Sequence, residues 1–565
     1  MLTVTLNPGF VPIFAALLAL AAPLGVRAGI MGVSALASLW LLLGHEFGAA
    51  AAMAQMGLPV VLLNLDAINR IFGVAMLIIL AILAIYSSAR RNRYEDAAIL
   101  LLAGGALSAL FVGDLVSFVA AAALAGLAAA WIVFASTEEG AERAGVRLLI
   151  WHGLEGLLFL IGVALHLTAG AASSIFARLD ADTISGACIF AALMIRIGAP
   201  LAHVWLKDVV SHASPTGGAA LSAFTTMLGV YALVRLFPAE PILMPIGAAM
   251  IVIGALFAAA EDDLRRAAGY ALTAQTGVCV ALVGEGSPLS IAAAEGHAFA
   301  VLLAFVALQM TMGGVLERTG STRVSQMRGL FTAMPMSTLL MVVAGLACAA
   351  MPAFAAFATH TVALQASAQW ELRWIWFCIA ALPGVLFIVL ALRPALAAHR
   401  TIAKPRAFNE ARFPMLLGAG LGAFLSLLIG LAPRWLYDLM PTGLAFQPFA
   451  LDRLAPQLEL LGAAGVVYLM LYAVKAAPQT LQAHTPDIDA LYRGPMAQAG
   501  RWAGVVLLRA YGAWQAAATA TGYASGRVLA RIARRCDRPF AQVRISSASQ
   551  FLSIAVLLLL ILLFR

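Results

Sequence analysis

Three histidines, His203, His297 and His360, fall in or beside long apolar stretches of the chain. An imidazole is the side chain that ordinarily titrates nearest neutral pH, so the chemistry to expect of such residues is taking up and handing on protons. Ionisable groups set in apolar spans are costly to keep and mark routes for ions or protons. Arg196 lies in the same kind of run, but a guanidinium does not release its proton in proteins, so it offers a fixed positive charge. The blander reading is an arginine that hydrogen-bonds carbonyls freed by a helix break. His152 and Glu155 are three residues apart and face alike on a helix. They fit a small relay or, as the preferred reading, a contact between helices, and Glu295 near His297 is a similar case. Asp114 stands at a helix start and reads as a cap, and Arg265 reads as an anchor at the cytoplasmic boundary. Asp208, Asp263, Arg265 and Glu155 are the residues expected to support the proton route without carrying it.

Other chemistries lack their residues. Cys188, Cys279, Cys348, Cys378 and Cys536 are scattered, with no CxxC or Cys/His ligand spacing. Disulfide frameworks, zinc and iron–sulfur sites are therefore not expected, nor is any other metal or cofactor. No glycine-rich nucleotide loop follows a strand, and no Ser/His/Asp arrangement is evident. Catalysis by this chain on its own is not expected.

The elements that must position these groups are set by composition. Of 565 residues, 63% are hydrophobic and 11% charged, and the mean hydropathy is +0.95. A soluble protein of this size needs more charge on its surface. Within lipid every backbone polar group needs an internal partner, which leaves helices or closed barrels. The apolar runs are too long for barrel strands, so the expected fold is an all-α polytopic membrane protein. About sixteen spans are expected. They fall near 9–24, 28–44, 68–88, 95–112, 113–135, 148–169, 183–206, 217–236, 241–260, 267–285, 290–315, 331–358, 372–393, 413–433, 456–475 and 548–564. The first apolar run has no basic stretch ahead of it and no evident small-residue cleavage site, so it is expected to be retained.

The net charge of +8 carries its information in its distribution. Arg27; Arg90, Arg91 and Arg93; Arg265 and Arg266; Arg318, Arg323 and Arg328; and the group from Arg393 to Arg412 occupy alternate loops. Positive residues favour the cytoplasmic side, which puts those loops inside and both termini outside. The chain then divides into N-terminal helices (1–94), a core (95–395), further helices (396–475), a cytoplasmic linker and amphipathic helix (476–547), and a last span (548–565). Arg527, Arg531, Arg534, Arg535 and Arg538 recur mostly at three- and four-residue spacing, as expected of a helix lying on a membrane surface or a partner.

Several motifs, in order, resemble those of the antiporter-like subunits shared by Mrp cation/proton antiporters and respiratory complex I. Arg196-Ile-Gly-Ala-Pro-Leu-Ala-His203-Val-Trp205-Leu-Lys-Asp208 resembles a K-spacer-P-L-H-x-W-L-P-D signature, and His-Ala-Ser-Pro215-Thr216 follows it. Leu228-Gly229-Val-Tyr231, Asp263-Leu-Arg265-Arg266, Gly296-His297-Ala-Phe299 and Met351-Pro352-Ala-Phe354 continue the likeness. Pro486-Asp487-Ile-Asp489 resembles an element of long Mrp D-type subunits. The resemblance implies two inverted five-helix repeats, spans 4–8 and 9–13, with spans 7 and 12 broken. Pro200 and Pro352 interrupt apolar helices there. It also implies a midplane chain of Glu, Lys and His residues, from which this sequence departs: Ala123, Met227 and Val301 stand at relay positions, Arg196 replaces a lysine, and His360 replaces a Glu or Lys.

The function this resemblance implies is a proton-conducting subunit of a multi-subunit assembly in the plasma (inner) membrane. Its partners would be other membrane subunits, lipid, protons and Na⁺ or K⁺, and not nucleic acid. Water chains would join the broken helices through His203, His297 and His360, with Arg196 as fixed charge. Any quinone or NADH chemistry would belong to partner subunits. The alternative is a transport-inactive subunit that serves as a membrane scaffold.

Overall fold

Charge-free runs with no water to satisfy their backbone fold as helices, and in a computed structural model the chain is overwhelmingly helical. The structure describes residues 6–475, apart from 56–57, 91, 176, 401–407 and 442–443, and scattered positions from 487 to 512. Two units are distinguished, Met1–Thr485 and Pro486–Arg565. The expected amphipathic helix and the span at 548–564 lie almost wholly outside the described residues.

The first unit begins with α1 (Phe10–Ala21) and α2 (Arg27–Gly44), then a hairpin of β1 (Gly48–Gln55) and β2 (Leu58–Leu65), then α3 (Ala67–Ser87). The hairpin is a small two-stranded addition to a fold that is otherwise helical among the described residues. Next come α4 (Arg93–Phe111), α5 (Leu115–Phe134), α6 (Ala141–Thr168), α7 (Ile184–Ile197), α8 (Val204–His212), α9 (Pro215–Phe224) and α10 (Thr226–Leu236). A second set follows: α11 (Leu243–Ala260), α12 (Leu264–Glu285), α13 (Pro288–Thr319), a short α14 (Leu330–Ala333), α15 (Pro335–Cys348), α16 (Ala355–Ser367), α17 (Arg373–Leu386) and α18 (Arg393–His399). The last two are joined by a wider π-helical stretch, Phe387–Leu392. α19 (Phe413–Leu431), α20 (Arg434–Tyr437) and α21 (Leu451–Ala473) complete the unit.

Twelve spans among the described residues are long and apolar enough to cross a membrane, counting α9–α10 and α17–α18 as one each; α1, α7 and α15 are shorter apolar helices. Each of the first fifteen expected ranges falls on one or two helices, except 331–358, which takes in α14, α15 and the start of α16. α9–α10, α12 and α13 form the centre and are almost wholly buried. Leu17, Trp40, Ile150, Leu256 and Met470 point outward from peripheral helices, as lipid-facing side chains do. Between apolar helices in lipid, close backbone approach is a main source of cohesion. α11 and α12 meet through glycine: a Cβ added at Gly277 would stand 2.6 Å from the Gly247 carbonyl oxygen. Distant segments are joined by single polar groups, as where the Tyr86 hydroxyl of α3 donates to the Met310 carbonyl of α13 at 2.9 Å.

The two sets share a local stitch. Asp114 caps α5 by accepting from the Ser117 amide, and its backbone forms a lone bridge with Ser174. Asp263 caps α12 by accepting from the amides of Arg265 and Arg266, and its backbone bridges Arg323. In each set the second helix is thus tied to the loop that follows the third. Each set also carries a broken helix. Between α7 and α8 the chain passes Gly198 (φ 69°), Pro200 and Leu201 (φ 80°); between α15 and α16 it passes Ala350 (φ 50°), Pro352 and Ala353 (φ 84°). Left-handed conformations at non-glycine residues cost about 1–3 kcal/mol each, and persist only where surroundings enforce them.

Candidate functional site

The first break presents Arg196, buried in the last turn of α7. Its Nε donates to Glu155 Oε1 of α6, and its Nη2 donates to the Ala122 carbonyl of α5 at 3.1 Å. The other oxygen of Glu155 meets His152 Nδ1 at 2.7 Å. One carboxylate therefore joins two helices and holds an arginine against a third. The contact between helices runs from Glu155 to Arg196, whereas the bond between His152 and Glu155 lies within α6. Burial raises the stakes of such a pair, because removing one partner leaves an uncompensated charge at a cost of about 3–5 kcal/mol. Trp205 fixes the break from the other side, donating Nε1–H to the Ile195 carbonyl at 2.9 Å. The His152 ring lies 5.2 Å from that indole, centroid to centroid.

His203 stands at the start of α8, its ring 6.2 Å from Phe257 and 6.1 Å from Tyr270. One turn on, Lys207 is buried with its Nζ 5.2 Å from the Tyr270 ring centroid. Asp208 follows it and accepts from Arg147 of α6, with Nε–Oδ2 at 2.6 Å. Arg265, expected as a boundary anchor, is held inside the protein. It is fully buried and donates to the carbonyls of Ser211 (3.2 Å), Ala213 (2.7 Å) and Ser214 (3.3 Å), where α8 gives way to α9. The orphan carbonyls at that helix end draw the guanidinium inward. Asp263 supports it only through the cap on α12, and accepts from Thr322 Oγ1 at 2.9 Å.

At the second break the groups form a string. The Cys348 carbonyl, freed at the end of α15, accepts from Gln275 Nε2 of α12 at 3.0 Å. Gln275 Oε1 meets His297 Nε2 of α13 at 2.9 Å, and His297 Nδ1 meets Thr359 Oγ1 of α16 at 3.1 Å. The His360 ring lies 6.1 Å from that of His297 and is fully buried. Neither of its nitrogens has a hydrogen-bond partner among the described residues. Gln457 of α21 reaches the same break, donating to the Ala350 carbonyl at 3.1 Å.

His297 can be satisfied in both protonation states. With Gln275 Oε1 accepting, Nε2 carries the hydrogen, and the Thr359 hydroxyl donates to a neutral Nδ1. When Nδ1 also gains a proton, the hydroxyl accepts from it and turns its own hydrogen to the Ala356 carbonyl, 3.2 Å away. Rotation of one hydroxyl accommodates the added proton.

The structure thus brings His297 and His360 together and leaves His203 apart, with α12 carrying Tyr270 toward one group and Gln275 toward the other. Glu295 is buried on α13 with neither carboxyl oxygen hydrogen-bonded among the described residues. Met227 and Val301 are buried and apolar. Sequence reading missed Gln275, Thr359 and Gln457. The first was signalled by the one amide side chain of α12, set between Thr273 and Thr276, whereas the other two resemble ordinary helix residues. No group of three or more His, Cys, Asp or Glu side chains is disposed to hold a metal among the described residues.

The family described as NADH:quinone oxidoreductase/Mrp antiporter, TM, matches residues 112–386. NADH-quinone oxidoreductase subunit N 2 of Solidesulfovibrio magneticus is 26% identical over 316 residues, covering 53% of this chain and 67% of that protein. Across it and two further curated relatives the matches span between 44% and 67% of their lengths. Among solved structures, a chain of the membrane-bound sulfane sulfur reductase, an archaeal respiratory membrane complex, aligns over 98% of this chain and 99% of its own, with TM-score 0.69 and 20% identity. A chain of the Mrp complex from Dietzia sp. aligns over 81% of this chain and 97% of its own, with TM-score 0.67 and 16% identity. At those identities the likeness is one of fold.

Proposed function

We propose that the chain, whose residues 112–386 match the family described as NADH:quinone oxidoreductase/Mrp antiporter, TM, is a proton-conducting, antiporter-like subunit of a multi-subunit complex in the plasma membrane. The observation that carries the reading is the string from the Cys348 carbonyl through Gln275 and His297 to Thr359, with His360 beside it. Two imidazoles at a broken helix, one of them supported in either protonation state, suit protons better than a hydrated metal cation. Arg196, locked to Glu155, serves as a fixed charge and not as a carrier. Asp208 and Asp263 hold the frame through Arg147 and the α12 cap. The partners are other membrane subunits of such a complex, and the sulfane sulfur reductase and Mrp assemblies indicate the kind.

A second reading, a transport-inactive scaffold, is favoured by the apolar residues buried at Met227 and Val301, where the resemblance places titratable groups. His360→Ala separates the two. In vesicles bearing the assembled complex, proton conduction requires the variant to lose most of its flux while it still co-purifies with its partners. Normal assembly with unaltered flux establishes the scaffold.

A further inference from the structure

The chain has 35 basic residues, and only Lys207, Lys404 and Lys475 are lysines. Arginine therefore supplies nearly all its positive charge, including the buried charge at Arg27, Arg196 and Arg265. Among the described residues, the one lysine inside the helical core is Lys207, 1% exposed, in the first turns of α8 after the break. Where only a charge was needed, this sequence used arginine; at position 207 it kept the cation that can also give up its proton.

Its surroundings suit hand-over. His203 lies four residues earlier on the same face of the helix. Both side chains face Tyr270 of α12, with His203 at 6.1 Å between centroids and Lys207 Nζ at 5.2 Å from the ring centroid. The approach is fixed by backbone, since a Cβ added at Gly269 would stand 2.7 Å from the Lys207 Cα. On the other side Asp208 pairs with Arg147 of α6, whose side chain is 34% exposed. The buried ammonium thus stands between a partly exposed ion pair and the imidazole at the break.

We propose that Lys207 is a proton-carrying residue of this chain, passing protons between the Asp208–Arg147 ion pair beside it and His203 at the first broken helix. In the step, the Lys207 ammonium loses one proton to the neutral imidazole of His203, leaving an amine and an imidazolium. A proton arriving from the Asp208 side restores the ammonium, and no other bond forms or breaks. The inference rests on the proton-conducting reading and adds a residue to it.

Lys207→Arg is the decisive variant, because it keeps the positive charge and the cation over Tyr270 and removes only the capacity to let a proton go. In vesicles containing the assembled complex, Lys207→Arg and Lys207→Met should each lower proton flux at least tenfold, with partner co-purification unchanged. Full flux in the arginine variant and low flux in the methionine variant would reduce Lys207 to a structural cation, and full flux in both would remove any role. If the arginine does not assemble, Lys207→Cys in an otherwise cysteine-free chain, treated with 2-bromoethylamine, replaces it: the lysine-like amine restores flux if the proposal holds, and a failure of that modified chain to exceed untreated Lys207→Cys overturns it. His360→Ala distinguishes the levels. Loss of flux there with full flux in Lys207→Arg sinks this proposal alone, whereas full flux in both sinks the conduction reading with it.

Discussion

Glu155 carries more of the first cluster than any other side chain, because one carboxylate answers both Arg196 and His152. Truncating it to alanine leaves Arg196 buried with a single carbonyl partner, so Glu155→Ala should destabilise the protein by about 3–5 kcal/mol, read as a lowered midpoint in thermal unfolding of the detergent-solubilised chain. Arg196 already reaches the Ala122 carbonyl on α5, one residue from Ala123. Ala123→Glu in the Glu155→Ala background should therefore recover part of the loss, and no recovery would show that α5 cannot offer a carboxylate to this arginine. The sequence announced Arg196 and the apolar setting of the histidines, since an ionisable residue in an apolar run stands out by itself. It did not announce which helix would supply the counter-charge. That depends on how α5, α6 and α7 cross, and a contact 41 residues apart in the chain leaves no periodic mark. The partners of Arg265 were hidden for a related reason: nothing in an Arg-Arg pair at a helix start points to the open carbonyls at the α8–α9 joint.

Among elements, the breaks were the most legible because proline leaves no choice. Pro200 and Pro352 each remove an amide donor from an apolar helix, and the chain answers with left-handed residues beside them. The hairpin of β1 and β2 was illegible, since Gly48–Gln55 is a run of alanines with no alternation of polar and apolar side chains. Helix contacts mediated by missing side chains were equally silent. Gly277 sits against the α11 backbone, with a prospective Cβ 2.7 Å from Met250 Cβ as well as near Gly247, whereas Gly153 on α6 has no neighbour within 4 Å. Gly277→Leu should separate α11 from α12 and lower the unfolding midpoint by the equivalent of about 1–3 kcal/mol or more. Gly153→Leu should be tolerated. Equal effects at the two sites would show that glycine at 277 is not there for close approach.

For the molecule as a whole, the alternation of arginine-rich loops predicts the orientation. Cysteines placed singly at positions 323 and 404 of an otherwise cysteine-free chain should resist a membrane-impermeant thiol reagent applied to intact cells and react once the membrane is opened. Prompt labelling at 404 from outside would invert the topology. A larger consequence follows from the bond between the Tyr86 hydroxyl and the Met310 carbonyl, whose partners are 224 residues apart. At ribosomal rates of about 5–20 residues per second, α3 is synthesised roughly 10–45 s before its acceptor exists. Through that interval a phenol destined for a dry interior has no carbonyl from α13, and the surface of α3 that will meet Gly418 of α19 waits longer still. Slowing translation between residues 90 and 310 should therefore lengthen the exposure of the early helices and increase their degradation in proportion to the delay.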